Sequence, residues 1–126
     1  MDYSIENYMT KGPHTVGAGE ELKFAETQMK KLKIRHLPVL KEKELIGILS
    51  LRDIRLVQGI QSDYEKIKVE EACVEDPIQV QKDEDIRKVC KLMAKDKIGS
   101  VLVMDKKKLV GIFTWIDLLN MVSKLK

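Results

Sequence analysis

Two stretches of the sequence share a spacing of residue types that suits the binding of a sugar and an anion. The segments GILSLRD (47–53) and GIFTWID (111–117) both run glycine, apolar residue, any residue, serine or threonine, any two residues, aspartate. The N-terminus of a helix offers N–H groups to an anion, and a carboxylate can accept two hydrogen bonds from a vicinal diol. The pattern therefore points to a ribose phosphate.

The same pattern has a purely structural interpretation. Ser50 and Thr114 each precede an acidic residue by three positions, which is a helix capping box. For one isolated copy, helix capping is the stronger interpretation. Two features favour a ligand as well, because the pattern occurs twice and each copy begins with a strand glycine, which often marks a close approach to the backbone. The two roles are compatible, since the hydroxyl can cap the helix when no ligand is bound.

An internal repeat places the two motifs at equivalent positions. Shifted by about 64 residues, the sequence aligns with itself without a gap from Pro13 over Pro77 to Asp53 over Asp117. Each half has an amphipathic helix, two short apolar runs around a polar turn, and a second helix that begins at the motif. Short extended segments at 14–16 and 78–80 complete a β-α-β-β-α unit. Gly19 and Asp83 are the predicted N-caps of the first helices.

The fold class that follows is α+β, with two β-α-β-β-α repeats packed as a pseudo-twofold pair. Neither repeat alone is large enough to bury both faces of its sheet well. Residues 1–60 form the first repeat, and residues 61–126 form the linker and the second repeat. Together they are expected to make one compact module.

Composition and motifs exclude several classes of function. The 126 residues carry 23 Lys and Arg against 20 Asp and Glu, with both signs mixed along the chain, so no basic stripe indicates nucleic acid. No apolar run is long enough to span a membrane and the acidic start does not resemble a signal peptide, so a cytoplasmic protein is expected. His14 has no histidine or cysteine at ligand spacing, so no metal site is expected. Without a nucleophile elbow or a Walker-type glycine loop, the chain is not expected to be an enzyme.

Taken together, these signals resemble a tandem pair of CBS domains, the regulatory module named after cystathionine beta-synthase. The resemblance covers essentially the whole chain. It rests on the two motifs above and on the segment IRHLPV (34–39) with its counterpart IGSVLV (98–103). It implies two clefts between the repeats that bind adenosine derivatives, here AMP, ADP or ATP, with S-adenosylmethionine and NAD as alternatives.

The resemblance also implies roles for individual residues. Asp53 and Asp117 would bind ribose hydroxyls, and Ser50 and Thr114 would contact ribose or phosphate. The residues that would wall the adenine are Thr15, Val16, Leu37 and Pro38 in the first repeat and Gln79, Val80, Ser100, Val101 and Leu102 in the second.

Phosphate would be bound by cationic residues that only one repeat carries. The candidates are Arg35, His36 and Arg52, and their counterparts in the second repeat are Gly99, Ser100 and Ile116. The two sites are therefore expected to be unequal, and one of them to bind weakly or stay empty.

The helices at residues 51–60 and 115–122 are apolar on more than one side, which predicts that another subunit covers them. The resemblance implies the same association, so a homodimer is expected; burial within the monomer is the alternative. The expected function is a non-catalytic regulatory module that binds an adenosine-containing nucleotide and transmits its occupancy to an unidentified partner protein. The alternative is a ligand-free scaffold for protein interactions that acts through its apolar helices. The two hypotheses differ in whether Asp53 and Asp117 bind a ligand or only cap helices.

Overall fold

The computed structural model describes residues 1–125, which form two compact units. The first-repeat unit is His14–Pro77, and the second-repeat unit is Met1–Pro13 together with residues 78–125. In chain order the strands and helices are β1 Thr10–Lys11, β2 Val16–Gly17, α1 Leu22–Leu32, β3 His36–Lys41, β4 Glu44–Ser50, α2 Leu51–Gln58, α3 Val69–Ala72, β5 Val74–Glu75, β6 Gln79–Gln81, α4 Ile86–Asp96, β7 Ser100–Asp105, β8 Lys108–Thr114 and α5 Trp115–Ser123. Short 3-10 helices lie at Ile5–Asn7 and Tyr64–Lys66.

Each unit contains one four-stranded sheet, and the α+β fold class is confirmed. The strand order is β2-β3-β4-β5 in the first-repeat unit and β1-β8-β7-β6 in the second. In the first-repeat unit β3 and β4 form an antiparallel hairpin, and β2 runs parallel to β3 with α1 as the crossover between them. The turn of this hairpin consists of Glu42 and Lys43, which both have positive φ angles of 50° and 70°. The predicted order β-α-β-β-α is present in both halves.

A helical turn and an edge strand that the sequence analysis did not predict are added to each unit. Residues 5–11 place β1 antiparallel to β8, and residues 69–75 place β5 antiparallel to β4. Each segment is anchored by a fully buried residue, Ile5 in the second-repeat unit and Val69 in the first. The segment that opens each sequence repeat therefore folds into the unit built from the other half. The division at residues 60 and 61 describes the repeat in the sequence, and the compact units are assembled differently.

The first helix of each repeat, α1 or α4, begins two residues later than predicted. The N-cap of α1 is Glu21 and that of α4 is Asp85, so the predicted caps Gly19 and Asp83 are wrong. The Asp85 carboxylate accepts a hydrogen bond from the backbone N–H of Arg87 at 2.8 Å, which satisfies one of the unpaired N–H groups of the first turn. Among residues 1–125, no helix is both long enough and apolar enough to cross a membrane.

A buried carboxylate ties the two helices of the first-repeat unit to the segment that follows them. The side chain of Glu26 on α1 is 2% exposed and accepts hydrogen bonds from Arg55 at 2.7 Å, Gln58 at 2.8 Å, Tyr64 at 3.0 Å and Lys23 at 3.3 Å. Burial raises the pKa of Glu26, but these four donors outweigh it and hold the pKa at about 2. Glu26 is therefore ionised at neutral pH and fixes α1, α2 and the 3-10 turn together.

Candidate functional site

The two motifs form complete capping boxes at the junction of strand and helix. Ser50 ends β4 and is the N-cap of α2; its Oγ accepts from the N–H of Asp53 at 3.1 Å, and Oδ2 of Asp53 accepts from the N–H of Ser50 at 2.8 Å. Thr114 is the N-cap of α5; its Oγ1 accepts from the N–H of Ile116 at 3.3 Å, and its N–H donates to Oδ2 of Asp117 at 2.8 Å. The structural interpretation of the pattern is therefore correct. Any ligand role must coexist with helix capping.

The fold brings the predicted polar residues of the first repeat to one end of its sheet. His36 begins β3 and is the direct cross-strand partner of Ser50, and the N–H of Leu51 donates to the carbonyl oxygen of Arg35 at 2.9 Å. The first turn of α2, which carries Asp53, starts from the same point. Arg35, His36, Ser50 and Asp53 thus surround the N-terminus of α2, a position that favours an anion.

The charge of His36 depends on its burial and on the neighbouring Arg35 and Asp53. Burial lowers the pKa of His36, the positive charge of Arg35 lowers it further, and the carboxylate of Asp53 opposes both. His36 is therefore mostly neutral at pH 7 and adds little positive charge to this group. Arg35 and Arg52 both have exposed side chains and can meet a phosphate from solvent.

Several residues predicted to wall the adenine have side chains that lie in the hydrophobic cores. Val16 and Leu37 belong to the core of the first-repeat unit, and Val101 to that of the second. Only their backbone groups can face a ligand. The remaining predicted residues differ in accessibility: Thr15 and Gln79 are exposed, Ser100 and Val80 are half-buried, and Pro38 and Leu102 are buried.

The two aspartates of the motifs differ in how their carboxylate oxygens are used. Oδ1 of Asp117 accepts a hydrogen bond from the hydroxyl of Thr10 on β1 at 2.8 Å. The residue equivalent to Thr10 in the first-repeat unit is Val74, which has no hydroxyl. Within residues 1–125, Oδ1 of Asp53 accepts no hydrogen bond. Thr10 is not among the predicted site residues, although the aligned repeats differ here, with threonine at position 10 and valine at position 74.

The position equivalent to Arg35 is occupied differently in the second-repeat unit. A Cβ atom on Gly99 would lie 2.7 Å from Nε1 and 2.8 Å from Cδ1 of Trp115, so the indole lies directly against the glycine. The backbone arrangement is shared, since the N–H of Trp115 donates to the carbonyl oxygen of Gly99 as that of Leu51 does to Arg35. The indole of Trp115 therefore occupies the position that corresponds to the Cβ atom of Arg35 in the first repeat.

The glycines that open the two motifs have a structural role. A Cβ atom on Gly47 would lie 2.6 Å from the carbonyl oxygen of Val74 and 2.9 Å from Sγ of Cys73, and one on Gly111 would meet the side chain of Met9. The close approach comes from the edge-strand segments and not from a ligand. The expectation that these glycines mark a ligand site is therefore wrong, because Val74, Cys73 and Met9 occupy the space beside them.

Comparison with known proteins identifies the family. A model of the CBS domain matches residues 5–58 and 69–124, and the chain belongs to the CBS domain family. Uncharacterized protein MJ1232 of Methanocaldococcus jannaschii is 33% identical over 123 residues, which are 97% of this chain and 38% of that protein. Another curated relative, MJ1225 of the same organism, is matched over 46% of its length. The chain thus spans less than half of the length of these relatives.

Two solved structures show the same fold over nearly the whole chain. A putative acetoin utilization protein (AcuB) from Vibrio cholerae has a TM-score of 0.88 and 31% identity, covering 98% of this chain and 92% of that one. The CBS domain pair of protein MJ0100, crystallised in complex with 5-methylthioadenosine and S-adenosyl-L-methionine, has a TM-score of 0.87 and 27% identity and covers 98% of both chains. The predicted CBS pair is confirmed. CBS domain pairs are generally regulatory, non-catalytic modules.

Proposed function

We propose that this chain is a non-catalytic regulatory module of the cytoplasm that binds an adenosine nucleotide in the first-repeat unit and transmits its occupancy to a partner protein. The observation that carries the proposal is the open oxygen of Asp53 beside a helix N-terminus and two exposed arginines. The ligand class is AMP, ADP or ATP. Regulation follows if the ligand binds one conformation of the module more tightly than another.

Each part of a ribose phosphate has a matching group in the first-repeat unit. Oδ1 of Asp53 is available to a ribose hydroxyl without breaking the capping bond that Oδ2 makes with Ser50. Arg35 and Arg52 supply positive charge for the phosphate, and His36 adds a hydrogen-bonding group at the start of β3. Because the side chains of Val16 and Leu37 lie in the core, the proposal gives recognition of the adenine edge to backbone groups of this region.

The ligand class is also supported by a relative. The CBS domain pair of MJ0100 was crystallised with two adenosine derivatives, and the present chain is 27% identical to it over 98% of both lengths. The two compounds in that complex share the adenine base and the ribose, so the similarity supports an adenosine-containing ligand. The case for phosphate groups rests on Arg35 and Arg52.

The test is calorimetric titration of the purified, nucleotide-stripped protein with AMP, ADP, ATP, NAD and S-adenosylmethionine. We expect saturable binding of at least one nucleotide, weakened by about tenfold or more in Asp53→Asn, because a charged acceptor for the ribose is lost. The Asn oxygen can still accept from Ser50, so folding should be retained, and thermal unfolding checks this. Asp117→Asn is the matched control and should leave this binding phase intact.

The alternative is a scaffold without a ligand, and the complete capping boxes favour it. Both capping boxes are complete without any bound molecule. The absence of heat and of thermal stabilisation with all five compounds at millimolar concentration would overturn the proposal and leave the scaffold as the better account.

We also propose a homodimer formed through α2 and α5. On α5 four large apolar side chains are half or more exposed: Trp115 at 52%, Ile116 at 62%, Leu119 at 60% and Val122 at 51%. A patch of this kind on a helix is usually covered in the working assembly. The corresponding face of α2 is more polar, since it carries Arg55 and Gln58 of the Glu26 cluster, so α5 supplies most of the apolar contact.

A further inference from the structure

We propose that the open edge of β4 in the first-repeat unit is a docking site for a basic, extended segment of a partner protein, which adds a strand beside residues 44–46. This inference rests on the proposed function for the existence of a partner and deepens it, because it gives that partner a chemical class and a place of contact. It is carried by an unpaired strand edge, by a cleft beside that edge, and by two carboxylates without ion pairs.

The strand β4 has seven residues, but its neighbour β5 covers only two of them. β5 pairs with Gly47 and Ile48. The pairing ends at Asp76, whose φ angle is 52°, and the next residue, Pro77, has no N–H to donate. Within residues 1–125, the first three residues of β4, at 44–46, therefore have no strand beside them on this side.

The second-repeat unit closes the equivalent position with a hydrogen bond. There the N–H of Gly12 donates to the carbonyl oxygen of Val110 at 3.1 Å. The corresponding residues of the first repeat are Asp76 and Ile46, and among residues 1–125 no backbone hydrogen bond joins them. The carbonyl oxygen of Ile46 is therefore open at this edge. An unpaired carbonyl on an edge strand is a ready acceptor for the N–H of an added strand.

A cleft of about 530 Å³ lies at the same edge. Its apolar lining consists of Leu45, Ile46 and Cys73, which are all half-buried. Burial raises the pKa of Cys73 and the carboxylate of Glu75 raises it further, so the thiol is uncharged at neutral pH. None of the residues that line the cleft lies on α2 or α5, so the proposed dimer leaves it accessible.

The charged residues of the cleft favour a basic partner. Lys41 pairs with Glu70 at 3.6 Å, whereas Glu75 and Asp76 are exposed and take part in no ion pair within residues 1–125. One lysine thus faces three carboxylates. The second repeat has Lys11 in place of Glu75, so this acidic edge belongs to the first repeat alone. A lysine or arginine of an added strand can lay its apolar stem on the cleft lining and bring its charge to the free carboxylates.

The test begins with an array of eight-residue peptides of randomised sequence, probed with the full chain in the absence of nucleotide. We expect the bound peptides to be enriched in lysine and arginine. The tightest of them is then measured in solution by fluorescence anisotropy. Asp76→Lys should weaken its binding by about fivefold, because a favourable charge becomes a repulsive one.

Asp96→Lys is the matched control, since it makes the same change of charge at an exposed position of the other unit and should bind the peptide like wild type. Glu75→Gln combined with Asp76→Asn removes both charges with little change in shape, and should weaken binding by about threefold or more. Thermal unfolding checks that each variant is folded.

Strand addition is tested separately from charge by methylating alternate backbone N–H groups of the bound peptide. In an added strand only every second residue directs its N–H toward β4. One methylated register should therefore lose about tenfold or more in affinity, while the other should bind like the unmodified peptide.

Three results would overturn the inference: no enrichment of basic peptides, equal binding by wild type and Asp76→Lys, or equal effects of the two methylated registers. Nucleotide binding in calorimetry without peptide binding would overturn this inference and leave the binding of a nucleotide intact. Peptide binding that meets these criteria, without any nucleotide binding, would support the docking site and overturn the proposed nucleotide function.

Discussion

The hydroxyl of Thr10 donates a hydrogen bond of 2.8 Å to Oδ1 of Asp117, across 107 positions of sequence. Its repeat-related counterpart is Val74, which cannot make this bond to Asp53. The two motifs are alike in sequence, and both form capping boxes. Both carboxylate oxygens of Asp117 accept hydrogen bonds, whereas within the described residues only Oδ2 of Asp53 does. The difference arises from the edge-strand segments that complete each sheet.

The bond between Thr10 and Asp117 should contribute measurably to stability. Replacing Thr10 with valine keeps the shape of the side chain and removes the donor, so we expect a loss of about 1 kcal/mol in the free energy of unfolding. A double-mutant cycle with Asp117→Ala, followed by urea unfolding, isolates the pairwise energy. A coupling energy near zero would show that the bond does not form in solution.

The strand glycines should tolerate alanine in a defined order. Gly47→Ala places a methyl group 2.6 Å from a backbone oxygen of Val74, and we expect a loss of about 1 to 3 kcal/mol. Gly111→Ala should cost less, because its methyl meets the flexible side chain of Met9. Gly19→Ala is the control, since nothing lies within 4 Å of the added carbon. Thermal unfolding of the three variants gives the order, and equal losses at Gly47 and Gly19 would contradict the placement of β5.

The cluster around Glu26 should make stability depend on pH. The folded-state pKa of about 2 lies below the ordinary value of 4.5, so the stabilisation is fully present above pH 4.5 and is lost as the pH falls toward 2. We expect Glu26→Gln to cost about 2 kcal/mol at neutral pH, because the donors of Arg55, Tyr64 and Lys23 lose a charged acceptor.

The measurement is the difference in unfolding free energy between wild type and Glu26→Gln across this pH range. This difference should shrink as the pH falls from 4.5 toward 2. Glu44→Gln is the control, because Glu44 is exposed beside the hairpin turn and should behave as wild type at every pH. A difference that does not change with pH would show that the neighbouring donors do not lower the pKa of Glu26.

The proposed dimer should depend on the exposed face of α5. Leu119→Arg places a charge in the apolar patch, at the position equivalent to Arg55, and we expect the dissociation constant to rise about tenfold or more. Asn120→Arg adds the same charge to the neighbouring exposed position and should have little effect. Light scattering over a concentration series measures both. A wild-type protein that stays monomeric throughout, or a Leu119→Arg variant that dimerises normally, would rule out this interface.

Much of the fold and part of the candidate site were predictable from the sequence. Helical periodicity and paired apolar runs are signals from neighbouring residues, and the 64-residue repeat is found by comparing the sequence with itself. These signals predicted the β-α-β-β-α order and the start of α2 and α5 at Ser50 and Thr114. The helix N-caps were wrong by two residues, because Gly19 and Asp83 match the residue preferences of a cap while tertiary packing starts the helices at Leu22 and Ile86.

The sequence by itself determined that two equivalent α+β repeats each carry a capped helix and an aspartate beside it, because these features depend on neighbours within a few residues. Only the tertiary structure decided that residues 5–11 and 69–75 complete the sheet of the opposite half. That choice depends on burying Ile5 and Val69 in cores distant along the chain. It also decided that Thr10 engages Asp117 while Asp53 keeps an open oxygen, because a contact across 107 residues leaves no periodic trace in the sequence.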